Sequence, residues 1–384
     1  MAVAVDLRRN AAPYLHGPEI SALARALYAG QYGHSSETDA FEAELAAFLG
    51  VRDVVTTSSC TAALHMALLL AGVGPGSEVI VPSQTFCATI HAIRLAGADP
   101  VFVEHHPDTL CATADGMLAA ITPATRATLP VLYGGRAVDL SSIQPILDDQ
   151  NIAVIEDAAH AFGSYQGDRR VGATGALTAF SFGPIKNLCA IEGGALVPRS
   201  PEEADRARAL RLLGVTQSQA ARIRTTSYQV EGVGLRYHLS AVHAAFGRVQ
   251  LTHFDEIEAA RKAVWQAYAE QLAELAPVSL VDVDIDRTTP FNCVVRIPGV
   301  RDEVFAFMAE HNIGVGVHYP PNHTQPAFAR WRRPLPVTEA VGQEILTLPL
   351  RPEMTERDVR QVVATLSQAL QAVDGAAEPA GCAR

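Results

Sequence analysis

The sequence predicts an α/β protein: a large unit whose mostly parallel, mixed sheet is flanked by helices, followed by a smaller C-terminal α+β unit. Three observations carry that prediction. Short β-branched or apolar runs alternate with helical stretches through the first two thirds of the chain, the pattern of a parallel sheet covered on both faces. Beyond Pro277 the alternation gives way to shorter runs. The chain has 384 residues, 48% of them hydrophobic and 18% charged, enough for two to three structural units with large cores. The divisions expected are residues 1–254, a small unit over 255–374 that includes a connector helix, and a small, polar, disordered tail at 375–384.

In chain order, helical periodicity runs over Glu19–Ala29 and again over Ser36–Leu49, which opens with serine and acidic residues. Between them GQYGHSS is a glycine-bearing loop, where Tyr32 and His34 are either surface residues or ligand contacts. Val51–Thr57 is a β-branched strand running into the amphipathic helix of SSCTAALHMALLLAG. A strand followed by hydroxyl residues at a helix start can bind an anion through free N–H groups; the same Ser58 or Ser59 can equally be an ordinary N-cap. GPGSEVIVPSQTF holds a turn, a buried-type strand and Phe86 at its end. The helix Ala88–Ala96, the strand Pro100–Glu104 and a strand over Thr128–Gly135 ending in YGGR come next. A helix near Leu140–Gln150 leads to the strand Ile152–Glu156, closed by Glu156 and Asp157.

After the turn GDRRVGATG, the strand Leu177–Phe182 enters the loop of Lys186, and EGGALV turns tightly into another strand. Pro201–Leu213 is an Arg/Glu-rich helix, and Gly214–Gly234 reads as a long loop. GLRYHLSAVHAAFGRVQL begins a helix capped by Ser240, and Asp255–Ala276 is a long connector. VSLVDVD, NCVVRIP, a helix near Glu303–His311, GVGVHYPP and a helix near Glu356–Ala372 make up the small unit.

Composition narrows the partners. A formal charge of −11 argues against nucleic acid. No segment approaches the ~18 apolar residues of a membrane span, and the start lacks a signal-peptide pattern. The six cysteines show no metal-type spacing, so reduced thiols, a cytoplasmic location and no metal are expected.

Ligands of such sheets gather at the carboxyl ends of the strands, where Ser59, Phe86, Tyr133 and Asp157 converge. Lys186 joins them from an apolar loop with no acid within four residues. A solvated surface lysine is the plain alternative. As a nucleophile, a lysine of pKa about 10.4 needs a partly desolvated place that disfavours its charge. Pyridoxal phosphate requires a lysine for its Schiff base, an acid at its ring nitrogen and a phosphate cradle. Lys186, Asp157 and the stretch Ser59–Cys60–Thr61 with Ser181 supply these in type, and Phe86 supplies a flat face.

These blocks resemble the DegT/DnrJ/EryC1/StrS sugar aminotransferases, of the fold-type I pyridoxal phosphate enzymes, from about Gly17 to Ala372. SFGPIKNLCAIEGG is similar to the family's SFHxxKNxTxGEGG. EDAAHA is shared, SSCTAALHMAL resembles SGTAALHLAL, and GLRYHLSAVHAAFGRVQL resembles GxNYRxSxxQAAxGLxQL. The resemblance implies that Lys186 anchors the cofactor and carries the proton, and that Asp157 holds the ring nitrogen. His160 would contact the ring's phenolic oxygen or face, while Cys60, Thr61 and Ser181 bind phosphate and Phe86 stacks. His318 and Tyr319 of the HYxP stretch would approach a sugar nucleotide. Arg236 stands where the family has an asparagine that reaches the neighbouring subunit's phosphate, so it would meet that phosphate or the substrate's diphosphate. Leu132 replaces a histidine, and Cys60 a glycine.

The implied activity is transfer of an amino group from an amino acid, L-glutamate, to a nucleotide-linked keto-deoxysugar, by a homodimer with shared active sites. A keto-cyclitol acceptor and a catalytically silent sensor of the same fold are the alternatives.

Overall fold

The computed structural model describes residues 5–30, 32–217 and 226–377. The strands in chain order are β1 (Val55–Thr57), β2 (Glu78–Pro82), β3 (Asp99–Val103), β4 (Thr125–Thr128), β5 (Ala153–Asp157), β6 (Tyr165–Gln166), β7 (Arg169–Arg170), β8 (Leu177–Ser181), β9 (Gly194–Val197), β10 (Ser279–Leu280), β11 (Cys293–Arg296) and β12 (Ile345–Leu348). Seven form the main sheet in the order β1-β9-β8-β5-β4-β2-β3. Its centre is parallel, from β3 through β2, β4 and β5 to β8, whereas β9 runs antiparallel to both β8 and β1. The sheet is therefore mostly parallel and mixed, as the alternation predicts.

Local chemistry sets several helix ends. Ser35 caps the helix Ser36–Leu49 in a box with Thr38, and Ser240 accepts from the His243 N–H at 3.3 Å to open Ala241–Thr252. Gly30 and Gly50 close two helices in the left-handed conformation that costs glycine nothing. The helix Cys60–Leu70 lies against β8 and β9 and is buried nearly all round.

Two expectations need correction. The strand placed over Thr128–Gly135 is instead β4, ending at Thr128, and only Val131 bridges back to Asp157. Pro130 has no N–H for a ladder, and Tyr133–Gly135 is a 3₁₀ turn with Gly134 at φ 65°. GVGVHYPP contributes a single bridge, Gly316 to Thr347, and no strand. The third strand of the small antiparallel sheet is β12, beside β11, in a stretch to which the sequence assigns no element. This sheet packs with Val264, Trp265 and Tyr268 of the helix Phe254–Leu272 and with the last helix, Glu356–Ala377, in one apolar cluster. That last helix continues past its expected end at Ala372; 378–384 of the expected tail, and 218–225 of the expected long loop, lie outside the described residues. No described helix is long and apolar enough to cross a membrane.

Candidate active site

A cavity of about 360 Å³ opens at the carboxyl ends of the parallel strands, lined by Ser59, Cys60, Thr61, Phe86, Thr89, Asp157, His160, Ser181, Lys186, His318 and Tyr319 among others.

Its anion end is the start of the helix Cys60–Leu70. Ser59 Oγ accepts from the Ala62 N–H at 3.1 Å, so Ser59 is an N-cap. The N–H groups of Cys60 and Thr61, in the first turn, have no carbonyl to meet inside the helix and are left to a ligand. The backbone of β9 presses against this turn: a Cβ on Gly194 would come within 2.6 Å of the Cys60 nitrogen. Burial and the neighbouring Asp157 push the Cys60 thiol far up, so Cys60 stays protonated and offers the cavity its backbone. Ser181 stands at the end of β8, opposite Gly194.

Asp157 closes β5 and is buried. Its Oδ1 accepts from the Ala159 N–H at 3.1 Å and its Oδ2 from Thr89 Oγ1 at 2.7 Å. Thr89 spends its only proton there, so Thr85 Oγ1, 2.9 Å away, donates to Thr89. Burial pushes the Asp157 carboxyl up against these bonds, and two donors leave acceptor capacity for a cationic partner.

His160 Nδ1 accepts the Gly134 N–H at 3.3 Å, which places the proton of a neutral ring on Nε2, 3.1 Å from the Tyr319 hydroxyl. Burial, then Lys186, holds this imidazole neutral, well below its ordinary value. The loop of His318 and Tyr319 is stitched to the one after β2. Gln84 donates to the Tyr319 carbonyl, and Asn322 Nδ2 donates to the carbonyls of Ser83 at 3.0 Å and Thr85 at 2.6 Å. Tyr133 donates to the His318 carbonyl. Phe86 is half exposed at the mouth, with its ring 5.4 Å from that of Tyr319.

Lys186 reaches the same space from the loop after β8. Burial lowers its amine to about 8, against the pull of Cys60 and Asp157. Among the described residues its side chain makes no ion pair and no hydrogen bond; its Nζ lies 4.2 Å from the centroid of the Phe291 ring.

Two predicted residues stand elsewhere. The Tyr32 hydroxyl donates to the Leu27 carbonyl at 3.1 Å on an exposed face, and Arg236 lines a separate depression with His34 and His238. Conversely, sequence reasoning passed over Thr89, Thr85 and Phe291. A threonine one turn into the helix after Phe86 was the only available signal for Thr89. Among the described residues, one group could offer three metal ligands, His16, His253 and Glu256. The two imidazoles stack at 4.2 Å and 9°, so their in-plane lone pairs run parallel instead of converging on an ion.

The residues fit pyridoxal phosphate: a buried carboxylate with spare acceptors for a ring N–H⁺, free N–H donors for a phosphate, and a lysine of lowered basicity lie around one cavity.

Comparison with known proteins agrees. The model of the DegT/DnrJ/EryC1/StrS aminotransferase family matches residues 13–367. The structure is similar to that of the aminotransferase TlmJ from Streptoalloteichus hindustanus, at 31% identity over 95% of this chain and 99% of that one, with a TM-score of 0.89. It is similar to S. venezuelae DesV, at 35% identity over 92% and 94%, with a TM-score of 0.86. The sugar aminotransferase CalS13 from Micromonospora echinospora shares 26% identity over 94% and 99%, with a TM-score of 0.87.

Proposed function

The chain belongs to the DegT/DnrJ/EryC1/StrS aminotransferase family and is a pyridoxal phosphate-dependent aminotransferase, and we propose that it moves an amino group from L-glutamate to the keto carbon of a nucleotide-linked deoxysugar. The convergence of Lys186, Asp157 and the first turn of the helix Cys60–Leu70 on one cavity carries this reading. A sugar acceptor is supported by the likeness to CalS13.

When bound, pyridoxal phosphate supplies an electron sink for the substrate carbon that bears the amino group. In this reading the Cys60 and Thr61 N–H groups, with Ser59 and Ser181, hold the phosphate. Asp157 keeps a proton on the ring nitrogen, and Thr89 and the Ala159 N–H hold that carboxylate in line. Phe86 covers the ring, while the neutral His160 presents its Nε2 side to the ring's oxygen or face. Lys186 anchors the cofactor and, when free, moves the proton with Nζ. At a value of about 8, about a tenth of the free amine is neutral at pH 7, and the proton it carries is correspondingly easy to release. His318 and Tyr319 face the acceptor.

A second copy completes the site in this proposal. Tyr32 and Arg236 lie outside the chain's own cavity, Tyr32 on an exposed face and Arg236 in a depression that it shares with the exposed Tyr228 and Val230. Such apolar exposure marks an interaction surface, and Arg236 would serve the partner's phosphate or diphosphate as a charge-assisted donor.

Adding L-glutamate to the purified holoenzyme is expected to shift the cofactor's absorbance and release 2-oxoglutarate. No shift with any common amino donor would sink the proposal. Competition by dTDP or UDP against the acceptor is expected; its absence would favour a cyclitol ring instead.

A further inference from the structure

We infer that Phe291 is a positioning residue whose ring packs against both the free amine of Lys186 and the imidazole of His160, giving the lysine a fixed resting place whenever it is not bonded to the cofactor. The inference rests on Lys186 being the cofactor's lysine.

The geometry is specific. Lys186 Nζ lies 4.2 Å from the centroid of the Phe291 ring, and the His160 ring stacks on it at 4.0 Å and 19°. Both groups thus lie within van der Waals reach of the one ring. The ring itself is held from several sides. The Phe291 N–H donates to the Gly134 carbonyl at 2.9 Å, while the Gly134 N–H donates to His160. Arg261, buried in the helix Phe254–Leu272, donates from Nη1 to the carbonyls of Pro290 at 3.3 Å and Phe291 at 3.1 Å. Asn187, next to the lysine, donates to the Thr289 carbonyl at 2.9 Å. The aromatic face is thereby fixed relative to the Lys186 backbone.

Chemically the ring does what a carboxylate there would do badly. Its negative face attracts an ammonium, yet it carries no charge that would form a salt bridge with the lysine. The charged and titratable groups around the amine are Cys60 from the helix start, Asp157 from β5, Arg261 from behind Phe291, the imidazoles of His160 and His318, and Glu192 and Tyr319 on the cavity wall. Against that background the ring favours the protonated amine and fixes its position.

The test uses cofactor-free protein and the pH dependence of Lys186 acetylation by acetic anhydride, read by mass spectrometry. Replacing the aromatic face in Phe291→Leu is expected to lower the midpoint by about half a pH unit to one unit, and Phe291→Tyr to restore it. Phe291→pentafluorophenylalanine keeps the shape and reverses the ring's quadrupole, so it is expected to lower the midpoint at least as far as leucine does; it decides the matter if the leucine variant fails to fold. An unchanged midpoint in the folded leucine or pentafluoro variant overturns the inference, as does a tyrosine variant that behaves like leucine. Lys186→Met protein that still fixes pyridoxal phosphate covalently on borohydride reduction would overturn the lysine's assignment instead.

Discussion

Two of the cations held away from bulk water in this molecule are treated in opposite ways. Arg211, 2% exposed, meets Glu42, the Thr56 carbonyl at 2.8 Å and the Thr56 hydroxyl at 3.3 Å. Glu42 in turn accepts from the Thr56 N–H and hydroxyl at 2.8 and 2.7 Å. That set joins the helices Ser36–Leu49 and Pro201–Arg211 across β1. Lys186 has an aromatic face and no acid in contact, and its amine is held down to about 8. The charge of Arg211, used for architecture, is matched on the spot. One used for chemistry is kept short of partners, so that its proton can leave.

The sharpest way to break this contrast is Lys186→Met. Activity of the holoenzyme with glutamate is expected to fall by more than ~10³-fold, the scale of losing a positioned acid–base group, in a protein that still folds. Steady circular dichroism beside retained activity would remove the chemical half of the comparison. Arg211→Met should do the reverse. It strands the Glu42 carboxylate and is expected to cost about 3 kcal/mol of stability, read as a lower midpoint in urea, with near-normal activity in the folded fraction.

A third measurement works through pH. The Lys186 amine is lowered from 10.5 to about 8 in the fold, so the unfolded chain binds this proton more tightly. The stability it contributes is fully present above pH 10.5 and is lost as pH falls through 8, by at most roughly 3 kcal/mol. Cofactor-free Lys186→Met should therefore melt higher than wild type at pH 7, with that advantage shrinking towards pH 10.5. An advantage independent of pH would assign the effect to packing. The smallest effect is expected from Thr89→Val, which keeps the shape and removes one donor to Asp157. Binding of pyridoxal phosphate should weaken by about fivefold, near 1 kcal/mol, in equilibrium dialysis.

How far these two environments were legible in the sequence differs as well. Asp157 and Ser59 declare themselves because each sits where a strand ends or a helix begins, and those boundaries follow from local pattern and capping; Lys186 stands out as a lone lysine in an apolar loop, and His160 only through the family resemblance. Arg261 does not. The helical period puts it on the buried face with Ile257, Val264 and Tyr268, apart from Lys262, which makes an ordinary pair with Glu258 at 2.8 Å, but nothing local says what its guanidinium meets. Phe291 is equally silent, because its meaning comes from Gly134, His160 and Lys186, all distant in sequence. The fold was mostly readable for the same local reasons. Its misreadings arose where a proline or glycine pair cut an apolar run short, at Pro130 and Gly134, or where four residues such as Ile345–Leu348 were too few for a period to show.

The position of β1 at the sheet's edge bears on how the chain assembles as it is made. Among the described residues its only neighbour in the sheet is β9, so Val55 must wait for Leu196, about 140 residues later, and pairings of that span are slow to close. The stretch from β2 to β5 can pair within itself before then. The helix that follows β1 acquires its place against β8 and β9 only when those strands have emerged. In the order of synthesis, the half of the active site encoded first is thus among the last parts to be assembled.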